Sequence, residues 1–167
     1  MKSCKYKDSL RKATLCFLIR GDEVLLAMKK RGFGAGRWNG TGGKPNAGET
    51  IEKAAIREAR EEVGVTPLSL RKVASLKFNF PHQPDFNQQV EVFLVESWKG
   101  EPQETEEMTP KWFNKNDFPF DSMWPGDRFW LPKVLGGVKL EAEFTFGKGD
   151  KVLDYKLAEV GELEEEN

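Results

Sequence analysis

Gly43-Lys44-Pro45-Asn46-Ala47-Gly48-Glu49-Thr50-Ile51-Glu52-Lys53-Ala54-Ala55-Ile56-Arg57-Glu58-Ala59-Arg60-Glu61-Glu62-Val63-Gly64-Val65 reads as a glycine-rich loop running into a helix that stops at Gly64. Thr50 is placed to cap the helix N-terminus, and Ile51, Ala55, Ala59 and Val63 recur on one apolar stripe. Glu58, Glu61 and Glu62 stand at i, i+3 and i+4, so three carboxylates share one face and can be aimed at one point. Like charges at this spacing cost roughly 0.2 to 0.5 kcal/mol per pair, so the cluster calls for a counter-charge. Carboxylate oxygens suit hard divalent cations. Mg²⁺ in particular takes few protein carboxylates, keeps several waters and completes its shell with substrate phosphates. The expected helix is thus core on one side and site on the other, and its chemistry points to metal-assisted phosphate hydrolysis.

Composition narrows the setting. A length of 167 residues suits one compact domain with a real core. With 26 basic against 27 acidic residues, no long-range field marks a general binder of nucleic acid or membrane, so a small-molecule partner is expected. Cys4 and Cys16, the only cysteines, form neither a zinc-type spacing nor a disulfide framework, which fits a reducing compartment. The polar start has no apolar signal core, and no run approaches the eighteen or so apolar residues of a membrane helix, so a soluble, cytoplasmic, monomeric protein is expected.

Around the helix the chain alternates apolar strands with turns. Ala13 to Arg20 and Glu23 to Met28 read as a hairpin across Gly21-Asp22. Lys29 to Gly43 holds six glycines in fifteen positions and reads as a loop shaped by what it binds or packs on, with Lys29, Lys30 and Arg31 opening it in a way that suits a polyphosphate. Leu68 to Phe80 and Gln88 to Glu96 read as strands around a connection containing Pro81, His82 and Pro84, where His82 is a bystander. Gly100 to Thr109 is an acidic loop leading to a short strand at Lys111-Trp112-Phe113. Pro125 to Leu135 starts a helix ended by Gly136-Gly137, and Val138 to Phe146 pairs with Lys151 to Leu157 across Gly147-Lys148-Gly149-Asp150.

The spacing of Gly43, Glu49, Arg57-Glu58, Glu61-Glu62 and Gly64-Val65 resembles the Nudix box of the pyrophosphohydrolase family. A merely solvated acidic helix face would leave Arg57 and both glycines unexplained. One position departs, Ala59 standing where the family has a bulky aliphatic residue, and it reads as a packing change beneath the helix. The resemblance implies an α/β Nudix fold, a mixed β-sheet between helices in an α-β-α sandwich. It assigns residues 1–12 to a polar N-terminal extension, 13–160 to the hydrolase domain and 161–167 to a frayed acidic tail.

Outside the box, Met28 to Gly40, Glu107-Met108, Trp112-Phe113, Met123-Trp124-Pro125 and Leu153-Asp154-Tyr155 are similar to the MutT-type branch that hydrolyses oxidised purine nucleoside triphosphates. That likeness implies a base pocket at Thr14, Phe33, Asn39, Phe78, Trp124, Asp127 and Trp130. Such residues suit a purine, which needs an apolar slot with aromatic faces and a few polar groups at its edge. Two departures bear on breadth: Gly126 replaces the first of two aspartates after Trp-Pro, and Gln88 is nearest to an unmatched pocket methionine. Paired carboxylates can share a proton and read more than one base, so a lone Asp127 narrows the range expected.

The resemblance also implies the chemistry: water attacks a phosphorus of the triphosphate, giving monophosphate and pyrophosphate. Glu58, Glu61, Glu62 and Glu107, with the carbonyl of Gly42 or Gly43, would hold Mg²⁺, for which Mn²⁺ could substitute. Glu62 is the leading base or water-orienting group, and Arg57 orients the neighbouring carboxylates, Glu49 among them. Lys29 and Lys44 would meet phosphate oxygens. Rival readings keep the box and change the substrate to ADP-ribose or a dinucleotide, or drop hydrolysis for nucleotide sensing.

Overall fold

Strand β1 (Arg11–Arg20) is buried from Ala13 to Leu18, and its alternate side chains enter two different cores. Ala13, Leu15 and Phe17 join one cluster, Cys16 and Leu18 the other. A strand apolar on both faces has to run between two covering layers. The computed structural model, which describes residues 10–164, shows that sandwich.

In chain order, β1 is followed by β2 (Glu23–Lys29), β3 (Trp38–Asn39), helix α1 (Ile51–Val63), β4 (Thr66–Pro67), β5 (Arg71–Asn79), β6 (Gln88–Val95), β7 (Trp98–Lys99) and β8 (Met108–Asn114). Helix α2 (Asp127–Leu135), β9 (Lys139–Phe146) and β10 (Val152–Val160) complete it. The main sheet runs β10-β9-β5-β6-β1-β2-β3, with β8 on β2, and β4 pairs β7 separately. It is mixed: β1 lies parallel to β6 and β5 parallel to β9, while β5–β6 and β9–β10 are antiparallel.

Helix α1 covers Cys16, Leu18, Leu25, Ala27 and Phe93 on one face, and α2 covers the other with Trp130, Leu131 and Val134. Its capping follows the sequence: Thr50 accepts from the Lys53 N–H at 3.2 Å, and Gly64, at φ +76°, closes the last turn onto Arg60 O. Ala59 is wholly buried, so the small residue lets α1 sit close on the sheet.

Two expectations change. The β1–β2 hairpin pairs only at Ile19/Val24 and Arg20/Glu23, then splays. The opening is filled by the glycine stretch, which packs on both strands and is in part a strand where only a loop is expected: Trp38–Asn39 pair with β2 as β3, and Thr41 exchanges hydrogen bonds with Cys16 at 2.6 and 2.9 Å. Only glycine allows this approach, since a Cβ at Gly42 would lie 1.8 Å from the Thr14 carbonyl oxygen. Strand bounds shift elsewhere by a few residues, β1 beginning at Arg11 and β8 at Met108. Residues 161–164 carry no helix or strand, and the expectations for residues 1–9 and 165–167 lie outside the described residues.

Candidate active site

The splayed hairpin leaves a cavity of about 330 Å³ between the two halves of the sheet. One end is aromatic, lined by Phe33, Phe78, Phe80, Phe86 and Trp124, with Asn39 and Asp127 among them; the other is polar, with Glu62, Lys29, Lys44, Gly42 and Gly43. Thr14 lies between, its hydroxyl held at 3.3 Å from both the N–H and the carbonyl of Gly43. Of the expected pocket, Trp130 alone is absent from the wall. It is fully buried, edge-on to Phe17, and donates Nε1–H to Asp127 Oδ1 at 3.2 Å, so it positions Asp127 from behind. A tryptophan at helical spacing from Asp127 is compatible with either place, and the sequence does not separate them.

At the polar end, Arg57 uses all five N–H donors. It grips Glu49 with two bonds (Nε–Oε2 2.9 Å, Nη2–Oε1 3.0 Å), Glu58 at 2.9 Å, Glu61 at 3.1 Å and the Lys44 carbonyl at 3.0 Å. The bond from Arg57 holds the Glu49 carboxyl below its usual range. Glu58 shifts the other way, because burial outweighs the Arg57 contact. Gly43 makes room for it: a Cβ there would fall 2.6 Å from the Glu58 carboxyl. Glu62 accepts the Gly42 N–H at 2.7 Å, and burial pushes its carboxyl up to about 8. Glu107 is exposed and does not line the cavity, though its charge acts on Glu58 and Glu62. His82 is exposed, against Phe80.

Three carboxylates are buried among the described residues, and their partners differ. Glu91, which does not line the cavity, accepts from Ser75 and Gln89 at Oε1, and its Oε2, without a hydrogen bond, is neutralised by Lys72 Nζ at 3.0 Å. Glu62 and Asp127, both on the cavity wall, have no ion-pair partner among the described residues, and Asp127 Oδ2 has no hydrogen-bond partner either. Burial pushes the Asp127 carboxyl up to about 7, against the opposing effect of the Trp130 bond. A buried carboxyl without a partner is costly and marks a place for a ligand.

The polar end fits a divalent cation. No three acidic, histidine or cysteine side chains form a ready cage among the described residues, since Glu61 is turned to Arg57. Two carboxylates suffice for a hard cation that also takes water and phosphate, and Glu58 and Glu62 face the glycine loop together. The Gly43 carbonyl is occupied by the Thr14 N–H at 2.8 Å, which leaves Gly42 as the carbonyl of the pair.

Reading the residues alone did not find Arg11, Arg37, Phe80, Phe86 and Val90 on the wall. The aromatics flank the Pro81–Pro84 connection, and Arg37 lies inside the cation-bearing glycine stretch, which was the signal available.

An α-β-α sandwich with a carboxylate-faced helix at one end of an aromatic cavity defines a phosphate-handling hydrolase site. The chain belongs to the Nudix family, whose domain model matches residues 9–134. Nudix hydrolases work with divalent metal ions. The chain is 43% identical over 150 residues to the oxidized purine nucleoside triphosphate hydrolase of Danio rerio, covering 90% of this chain and 96% of that one. It is 45% identical over 147 residues to the protein of the same name from Mus musculus, with 88% and 94% covered. Among solved structures, the mutator MutT protein from Bacillus halodurans superposes with a TM-score of 0.76 at 26% identity, covering 89% of this chain and 97% of that one. No helix among the described residues is long and apolar enough to cross a membrane.

Proposed function

We propose that this chain hydrolyses oxidised purine nucleoside triphosphates of the 8-oxo-dGTP type to the monophosphate and pyrophosphate, with Mg²⁺ as the cation. One observation carries the reading. A single cavity joins an aromatic slot, bearing the unpartnered Asp127 Oδ2, to the buried carboxyl of Glu62 and the helix face behind it. The purine edge meets Asp127 and Asn39 while its ring lies among Trp124, Phe33 and Phe78. The triphosphate then extends past Thr14 toward Lys29 and Lys44. The relatives at 43% and 45% identity, both oxidized purine nucleoside triphosphate hydrolases, support the same substrate class.

The residues divide the work. Glu58 and Glu62, with the Gly42 carbonyl, would hold the cation, with Glu61 and Glu107 as further donors once phosphate binds. A cation held there would neutralise phosphate charge and acidify a bound water. Arg57 holds the carboxylates in register. Glu62 orients the attacking water and takes its proton as the new O–P bond forms and the bond to the leaving phosphate oxygen breaks. β9 and β10 belong to the main sheet, which supports a hydrolase domain running from 13 to 160. The reading takes the chain to act as a monomer in the cytoplasm, where the nucleotide pool is.

The test is initial pyrophosphate release with Mg²⁺ on 8-oxo-dGTP, 2-hydroxy-dATP, dGTP, ADP-ribose and a dinucleotide in parallel. The expected result is 8-oxo-dGTP ahead of dGTP by about tenfold or more, roughly 1.4 kcal/mol of differential transition-state binding. Glu62→Gln should remove most of that turnover. ADP-ribose or the dinucleotide in the lead would overturn the substrate class and leave the family intact.

A further inference from the structure

Arg37 stands on the cavity wall with a side chain held from two directions. Its guanidinium carbon lies 4.3 Å over the Trp124 ring centroid, and Nη1 donates to Asp150 Oδ2 at 2.8 Å. Asp150 comes from the turn between β9 and β10 and is the one non-glycine residue at positive φ, +60°, among the described residues. Asp is one of the few residues with a side chain that tolerate that backbone region, and a surrounding contact can favour it. The ion pair is such a contact, with both side chains about a quarter exposed. The main chain is fixed too: the Arg37 N–H donates to Gly34 O and its carbonyl accepts from Lys29, both at 3.3 Å. Phe33 lies 5.2 Å from the Trp124 centroid, its ring tilted by 43° to the indole.

We infer that Arg37, clamped by Asp150 onto Trp124, is a specificity-determining residue that tilts the slot toward purines with a carbonyl at C6 over purines with an amine there. The inference rests on the purine-slot reading above. Its ground is the donor inventory of the wall. Arg37 offers only N–H groups. Asn39 has its Oδ1 occupied by the Gly40 N–H at 2.9 Å, which leaves its amide N–H bonds for a ligand. Those donors pair with a carbonyl at C6, whereas the N–H₂ that an adenine-type base carries there leaves them unpaired. Arg37 meets Trp124 through a planar guanidinium, which can stack on an indole as an ammonium does not.

Calorimetric titration in a chelating buffer, free of turnover and divalent cation, measures 8-oxo-dGMP, dGMP, 2-hydroxy-dAMP and dAMP against wild type, Arg37→Gln, Arg37→Lys and Asp150→Asn. The guanine-to-adenine affinity ratio, in whichever oxidation state binds better, should fall at least fivefold in Arg37→Gln. Asp150→Asn should lower it less, and Arg37→Lys should recover only part. Equal weakening of all four ligands, or an unchanged ratio in the folded variants, would overturn the inference and reduce Arg37 to support of its loop. The oxidised-to-unoxidised ratio of the wild type separately judges the substrate reading, so the two can fail independently.

Discussion

Asp127 shows how one buried residue can carry both recognition and a stability cost. Its carboxyl is raised from 3.8 to about 7, chiefly by burial, while Trp130 and Arg37 act in the opposite sense. The folded chain therefore keeps a proton that the unfolded chain has released between those two values. With fewer protons bound in the unfolded state, stability must fall as pH rises. The contribution is fully present below about pH 4, is lost as pH rises to about 7, and amounts in total to a few kcal/mol. Asp127→Asn keeps an acceptor for Trp130 and cannot ionise, so it should flatten that part of the profile. Urea unfolding at pH 5 and pH 8 measures it: wild type should lose about 2 kcal/mol or more relative to the variant, and parallel profiles would show that Asp127 is ionised in the fold. Asp127 was legible from the run Trp124-Pro125-Gly126-Asp127 by resemblance. The place of Trp130 was not, because sequence does not say which face of a short helix meets a cavity.

Helix α1 is the element whose sequence said most, since its ends, its stripe and its acidic face are all local patterns. The elements that escaped are those defined by distant partners: β3 has two residues, and the pairing of Gly40–Gly43 with β1 has no period to read. Glycine-rich chain looks loose until a strand is found against it. Within α1, the expected consequence of geometry falls on Arg57. Its five donors meet two oxygens of Glu49, one each of Glu58 and Glu61, and the Lys44 carbonyl. Lys at this position keeps the charge but lacks the planar fork. Arg57→Lys should therefore lower kcat by about 10- to 100-fold, roughly 1.4 to 2.7 kcal/mol. Folding should suffer by no more than about 1 kcal/mol, because partly exposed ion pairs add little. Steady-state kinetics beside a thermal melt separates the two effects. A variant within threefold of wild type would mean the carboxylates hold their places without the fork.

On the scale of the whole molecule, the cavity is the gap between two halves of a sheet, and each end of it lies against a different layer. Trp124 and Asp127 belong to the α2 side and Glu62 to α1, with β1 and its glycine partner between them. The ends can therefore be loaded separately. A ligand that binds only the folded chain stabilises it by about 2.7 kcal/mol at one hundred times its Kd. For a chain of 167 residues, that corresponds to a rise in Tm of roughly 5 to 10 °C. 8-oxo-dGMP should produce such a shift in chelating buffer, in wild type and in Glu62→Gln alike. Mg²⁺ alone should raise the Tm of wild type and not of Glu62→Gln, since Gln keeps the acceptor for the Gly42 N–H but loses the charge that a cation needs. Loss of both shifts in Glu62→Gln would mean that the slot and the carboxylate end form one inseparable site. An equal Mg²⁺ shift in both proteins would remove Glu62 from the cation's ligands and leave Glu58 as the carboxylate of α1 that holds it.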